Sequence, residues 1–130
     1  LQELSTPEKT YEFIRQELDR QISIPAIDEY SLAGVAIKEI VSSARVPVFR
    51  YERTNDSVVV YGYNYALLDE HPAELHLSRD ILSRLEEQNQ FISEQYEDHF
   101  VVLWRNRDDI YAAVTRDNPD SLIKRIRPKG

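Results

Sequence analysis

No cysteine and no methionine occur among the 130 residues. The first absence excludes disulfides, thiol nucleophiles, zinc ribbons and iron–sulfur clusters. It fits a reducing compartment, so a cytoplasmic location is expected. The second, in a chain that opens Leu1-Gln2-Glu3, reads as a single domain, 1–130, excised from a longer protein. Glycine occurs only at 34, 62 and 130, too sparsely for a phosphate loop or a dinucleotide fingerprint. No Gly-x-Ser-x-Gly elbow can be written either. Neither Glu-x-Lys nor Asp-x-Lys occurs, so the signature of a restriction-type metal nuclease is missing. No apolar run approaches the ~18 residues of a membrane span, and no basic-then-apolar leader opens the chain.

What is present is ordinary globular material, 42% hydrophobic and 30% charged. The net charge is −7, unevenly spread. Lys124, Arg125, Arg127 and Lys129 make 121–130 a basic end without an acid, so subtracting these four charges leaves residues 1–120 at −11. A body of that sign repels nucleic-acid phosphates. The basic end reads as cations matched to the C-terminal dipole of a last helix, with a phosphate or acidic-partner contact as the alternative.

Ser5-Thr6-Pro7-Glu8 reads as a helix start, and Tyr11, Ile14, Leu18 and Ile22 continue it as one apolar stripe. Pro25 ends it. A second helix is expected from Asp28 or Ser31 to about Ala44, although Gly34 weakens it, with a strand over Val35–Val41 as the alternative. Val46–Arg53 and Ser57–Tyr65 flank Thr54-Asn55-Asp56 as strand, turn, strand. The second arm is apolar on both parities, which predicts a central strand. A long helix is expected from Ser78 to about Tyr96, with Leu85 and Ile92 facing inward. Phe100–Arg105 and Ile110–Thr115 form a second hairpin, and Asn118-Pro119 opens a short last helix. Together these predict a two-layer α+β domain, with about four mainly antiparallel strands and helices packed mostly on one face. The repeated order of helix, strand, turn and strand reads as common hairpin chemistry more than as duplication.

Part of this order resembles the ParB/sulfiredoxin-like fold. The resemblance rests on a helix over Ser31–Ala44, the strand Val46-Pro47-Val48-Phe49-Arg50-Tyr51, and the strand Val58-Val59-Val60-Tyr61-Gly62. His99-Phe100-Val101-Val102-Leu103 stands where the next strand of that fold would be. That family follows the glycine with basic or cysteine-containing residues. Here Tyr63-Asn64-Tyr65 stand in those places, so its nucleotide and thiol chemistry does not carry over and no membership is assigned.

Two constellations carry possible function. Asp69, Glu70, His71, Glu74 and His76 offer imidazoles and carboxylates of the kind that bind zinc, manganese or iron. His71 and His76 are five apart across Pro72, which fits neither one helix face nor one strand face. His71, Glu74 and His76 are therefore weak candidates, a solvated connector is the simpler reading, and no metal or other cofactor is expected. His99, just before a strand, reads as a surface residue. The second constellation is aromatic. Tyr61, Tyr63 and Tyr65 share one parity, and Phe49 and Tyr51 share one on the neighbouring strand. Tyrosine joins a rigid apolar body to a polar tip, which suits protein contacts; a core wall beneath a helix is the competing reading. The leading expectation is thus a non-enzymatic protein-interaction module of regulatory, adaptor or chaperone-like kind, binding another protein or a second copy of itself as a homodimer. The alternatives are a metal-assisted hydrolase or nuclease using 69–76 and a nucleic-acid-linked regulatory domain using the basic end.

Overall fold

Valine, isoleucine, tyrosine and phenylalanine crowd the stretches 45–64 and 99–115, and there the chain is extended. The computed structural model describes residues 7–18, 22–39, 45–64, 83–85 and 91–127. Its elements are α1 (Pro7–Leu18), β1 (Ala26–Ile27), β2 (Ser31–Glu39), β3 (Arg45–Arg53), β4 (Asp56–Asn64), β5 (Phe91–Tyr96), β6 (His99–Asn106), β7 (Asp109–Thr115), α2 (Pro119–Arg125) and β8 (Ile126–Arg127). Residues 83–85 form a single helical turn.

Six strands make one antiparallel sheet in the order β2-β3-β4-β7-β6-β5, and β1 pairs with β8 in a separate two-stranded ribbon. The sheet is two three-stranded meanders, β2-β3-β4 and β5-β6-β7, joined through β4 and β7. Three of its turns are two residues long, and each holds one residue in the left-handed region: Asn55 at φ 64°, Glu97 at φ 54° and Arg107 at φ 59°. Asparagine suits that conformation, while Glu97 and Arg107 adopt it at a cost of about 1–2 kcal/mol each. The β3–β4 ladder closes at Val48↔Tyr61. Pro47 has no N–H to extend it.

The two-layer α+β expectation is corrected on this point. The described chain is mostly β, with six strands in the main sheet instead of about four and only short helices. Ser31–Glu39, expected as a helix, is β2. Its β-branched Val35 and Ile37 fit a pleated strand, and Gly34 disfavours a helix. This also removes the helix on which the ParB/sulfiredoxin-like order depended. Phe91–Tyr96, expected as the end of a long helix, is β5, paired to β6 along its whole length. The polar run Glu86–Gln90 separates Leu85 from Ile92, so the two are not one helical stripe. The hairpins and the last helix lie where the turn residues placed them. Asn118 caps α2 by accepting from the backbone N–H of Asp120 at 2.8 Å.

One sheet face is sealed. Val35, Phe49, Tyr51, Val60, Trp104 and Tyr111 lie in a buried cluster with Ile14 of α1, Ile22, Ile27, Leu122 of α2 and Ile126 of β8. The hydroxyls of Tyr51 and Tyr111 donate to the backbone carbonyls of Pro25 and Ser23, which ties the segment after α1 across the sheet. Trp104 stacks on Tyr111 with ring centroids 5.3 Å apart. Gly62 lies under this cover. A Cβ there would sit 2.8 Å from Ile22 Cδ1 and 3.3 Å from Pro47 Cγ.

Candidate functional site

Strand register separates the aromatic residues that sequence parity grouped. Phe49 pairs with Val60 and Tyr51 with Val58, whereas Tyr61 pairs with Val48. Paired residues share a face, so Phe49 and Tyr51 lie on the sealed side, buried to 0% and 2% exposure. Tyr61 and Tyr63 lie on the opposite side and are half-buried. Tyr65, His71, Glu74 and His76, with the rest of 65–82, lie outside the described residues.

On that opposite side Leu85, Ile92, Leu103, Ile110 and Ala112 form a second buried cluster, with Tyr61, Tyr63 and Val101 packed at its margin. The rings of Tyr61 and Tyr63 stack at 6.4 Å with their planes 12° apart. Burial, with a smaller effect of Tyr61, pushes the Tyr63 phenol up to about 12. Tyr61 therefore adjoins Ala112 across β7 on one flank and Val48 on the other. Arg50, two residues from Val48, shares this face. Its buried Nε lies 3.2 Å from a Glu52 carboxylate oxygen without the alignment of a hydrogen bond. The result is a stacked tyrosine pair set among buried apolar neighbours, with Arg50 and Arg105 on the same face.

A second polar site was not legible in the sequence. Arg53, at the end of β3, reaches Glu29 at 3.3 Å, Asp56 at 3.4 Å and Asp117 at 3.4 Å. It also lies over the Tyr30 ring, 4.7 Å from the centroid. The Tyr30 hydroxyl donates to Asp56. Burial and that bond together push the phenol up to about 12. Glu29 accepts from Arg125 at 2.7 Å as well, and Arg127 pairs with Asp28 at 2.7 Å. One guanidinium thus joins the β1–β2 turn, the β3–β4 turn and the β7–α2 connection. No sequence signal links positions 29, 53 and 117; only the topology brings them together. Arg125 and Arg127, read from sequence as part of a basic end, are engaged inside the chain. Lys124 is exposed in the last turn of α2.

His99 opens β6 at the surface, with Nδ1 3.3 Å from an Asp98 oxygen. Among the described residues no group of three or more histidines and carboxylates is placed to hold a metal ion. Among them, too, no helix is long and apolar enough to cross a membrane. Comparison with protein-family models, with curated proteins and with solved structures finds no match to this chain.

Proposed function

We propose that this chain is a non-enzymatic protein-interaction module, and that it presents Tyr61 and Tyr63 to a partner protein. The observation that carries this reading is the stacked, half-buried tyrosine pair on the face opposite the sealed core. Tyrosine rings held rigid by a stack lose little conformational entropy on binding. Arg50 adds a planar donor group to the same face. Phe49 and Tyr51 belong to the core in this reading and support the surface from behind.

The test is differential capture. The folded wild type retains a stoichiometric partner protein, and the Tyr61→Ser/Tyr63→Ser double variant, with an unchanged circular-dichroism spectrum, loses it. Retention of the same species by both proteins refutes the assignment of this face.

A further inference from the structure

The two outer strands of the sheet differ in how open they are. In an antiparallel ladder alternate residues direct N–H and C=O to one side, then the other. The two-residue turn at 54–55 makes Arg53↔Asp56 a hydrogen-bonded pair, which sets the alternation across β3 to β2. Val35, opposite Phe49, therefore points its backbone groups away from β3. Yet Val35 is completely buried and Gly34 is buried, so that edge is covered there. At the other end of the sheet, the two-residue turn at 97–98 makes Tyr96↔His99 a hydrogen-bonded pair. Phe91, Ser93 and Gln95 then point N–H and C=O outward. Ser93 and Gln95 are exposed, and no described strand pairs on that side. An open edge of this kind is a template for another strand.

Charge selects the occupant. Glu94 stands midway along the edge, on the face shared by Ile92 and Tyr96. The adjoining turn adds Glu97 and Asp98, with no basic residue between 91 and 98. A second copy of β5, paired about Glu94, would set the two carboxylates directly opposite. Paired about Ser93, it would leave them diagonal, in a body already at −7. Tyr96 is 43% exposed, the one large apolar side chain so exposed among the described residues. Its ring stacks against His99 with centroids 6.2 Å apart, and the exposed remainder of the ring is open to a cation.

We propose that the β5 edge takes up an extended basic segment of another protein as an added strand. Backbone pairing to Phe91, Ser93 and Gln95 supplies the affinity. Lysine or arginine at alternate positions, beside Glu94 and over Tyr96, supplies the selectivity. The proposal rests on the interaction reading, but on a surface separate from Tyr61 and Tyr63.

The probes are blocked hexapeptides of alternating Lys and Val, and of alternating Glu and Val, titrated into the full chain. The Lys-Val peptide is expected to bind and to slow amide exchange at Ser93 and Gln95, while the Glu-Val peptide leaves both unchanged. Glu94→Lys is expected to weaken the basic peptide on the order of tenfold, the scale of one charge pair at an edge. A Lys-Val peptide N-methylated at alternate residues, with its charge intact and its donors blocked, is expected not to bind. Unprotected Ser93 and Gln95 amides at saturation overturn the proposal. Equal binding of both peptides, or an unchanged affinity in Glu94→Lys, overturns its selectivity claim. The Tyr61→Ser/Tyr63→Ser variant leaves β5 intact. Peptide binding retained there, with partner capture lost, separates the two surfaces; peptide binding that fails while capture persists refutes the edge alone.

Discussion

At the scale of single residues, three positions carry consequences that can be measured. Tyr30 and Tyr63 both hold their protons up to about 12, Tyr30 by burial and its bond to Asp56, Tyr63 chiefly by burial. The unfolded chain releases them near the ordinary value of about 10. Their contribution to stability is therefore complete below about 10 and is lost as the pH climbs from there through about 12. A phenolate absorbance titration is expected to lose one late-ionising tyrosine in Tyr30→Phe and one in Tyr63→Phe. A native titration in which neither variant removes a late step contradicts this. Gly62 makes the opposite kind of claim, about space. Alanine ordinarily suits a strand better than glycine, but here its Cβ meets Ile22 Cδ1 at 2.8 Å under a buried cover. Gly62→Ala is expected to cost about 1–3 kcal/mol in a denaturant melt, the usual penalty of overpacking. A gain in stability would show that Ile22 yields freely.

At the scale of elements, what could be read from the sequence was set by local chemistry. Thr54-Asn55 and Arg107-Asp108 are polar punctuation between β-branched and aromatic runs, so both hairpins were visible before the fold was. Asn118-Pro119 announced α2 for the same reason, since a cap and a helix-compatible proline act within a few residues. Two helices were misread because apolar spacing at three, four and seven is also compatible with strands and turns. In Ser31–Glu39 the β-branched residues and Gly34 outweighed the spacing. At 91–96 pairing with β6 decided the outcome, and no feature within the segment announces that pairing. Leu85 and Ile92 illustrate the difference. They looked like one helix face, but Leu85 lies in a helical turn and Ile92 in β5, and both reach the same buried cluster at 0% and 1% exposure. Leu85→Ala and Ile92→Ala are each expected to lose about 2–4 kcal/mol, as truncations in a packed core do. Melts showing under about half a kcal/mol for both would mean that this cluster is not a core.

At the scale of the whole molecule, the sheet divides the aromatic residues between its two faces. Parity along a single strand is legible in a sequence; which parity of one strand joins which parity of the next is not. A one-residue difference of register would have paired Phe49 with Tyr61 and put Tyr51 on the same face as Tyr61. As it is, Tyr51 pairs with Val58 and anchors the segment after α1 through its hydroxyl, while Tyr61 lies on the other side against Ala112 and Val48. Arg53 works at the same scale, joining turns at residues 29, 56 and 117 that are remote in the chain. The central proposal, that Tyr51 belongs to the core and Tyr61 is presented to a partner, is tested most directly by denaturant unfolding of Tyr51→Ala and Tyr61→Ala beside the wild type. Tyr51→Ala is expected to lose about 3–5 kcal/mol, because a buried ring and a hydrogen bond go together. Tyr61→Ala is expected to lose about 1 kcal/mol, because its half-buried ring is only partly withdrawn from water. Equal losses of several kcal/mol would place the Tyr61 ring in the core as firmly as Tyr51 and contradict the account.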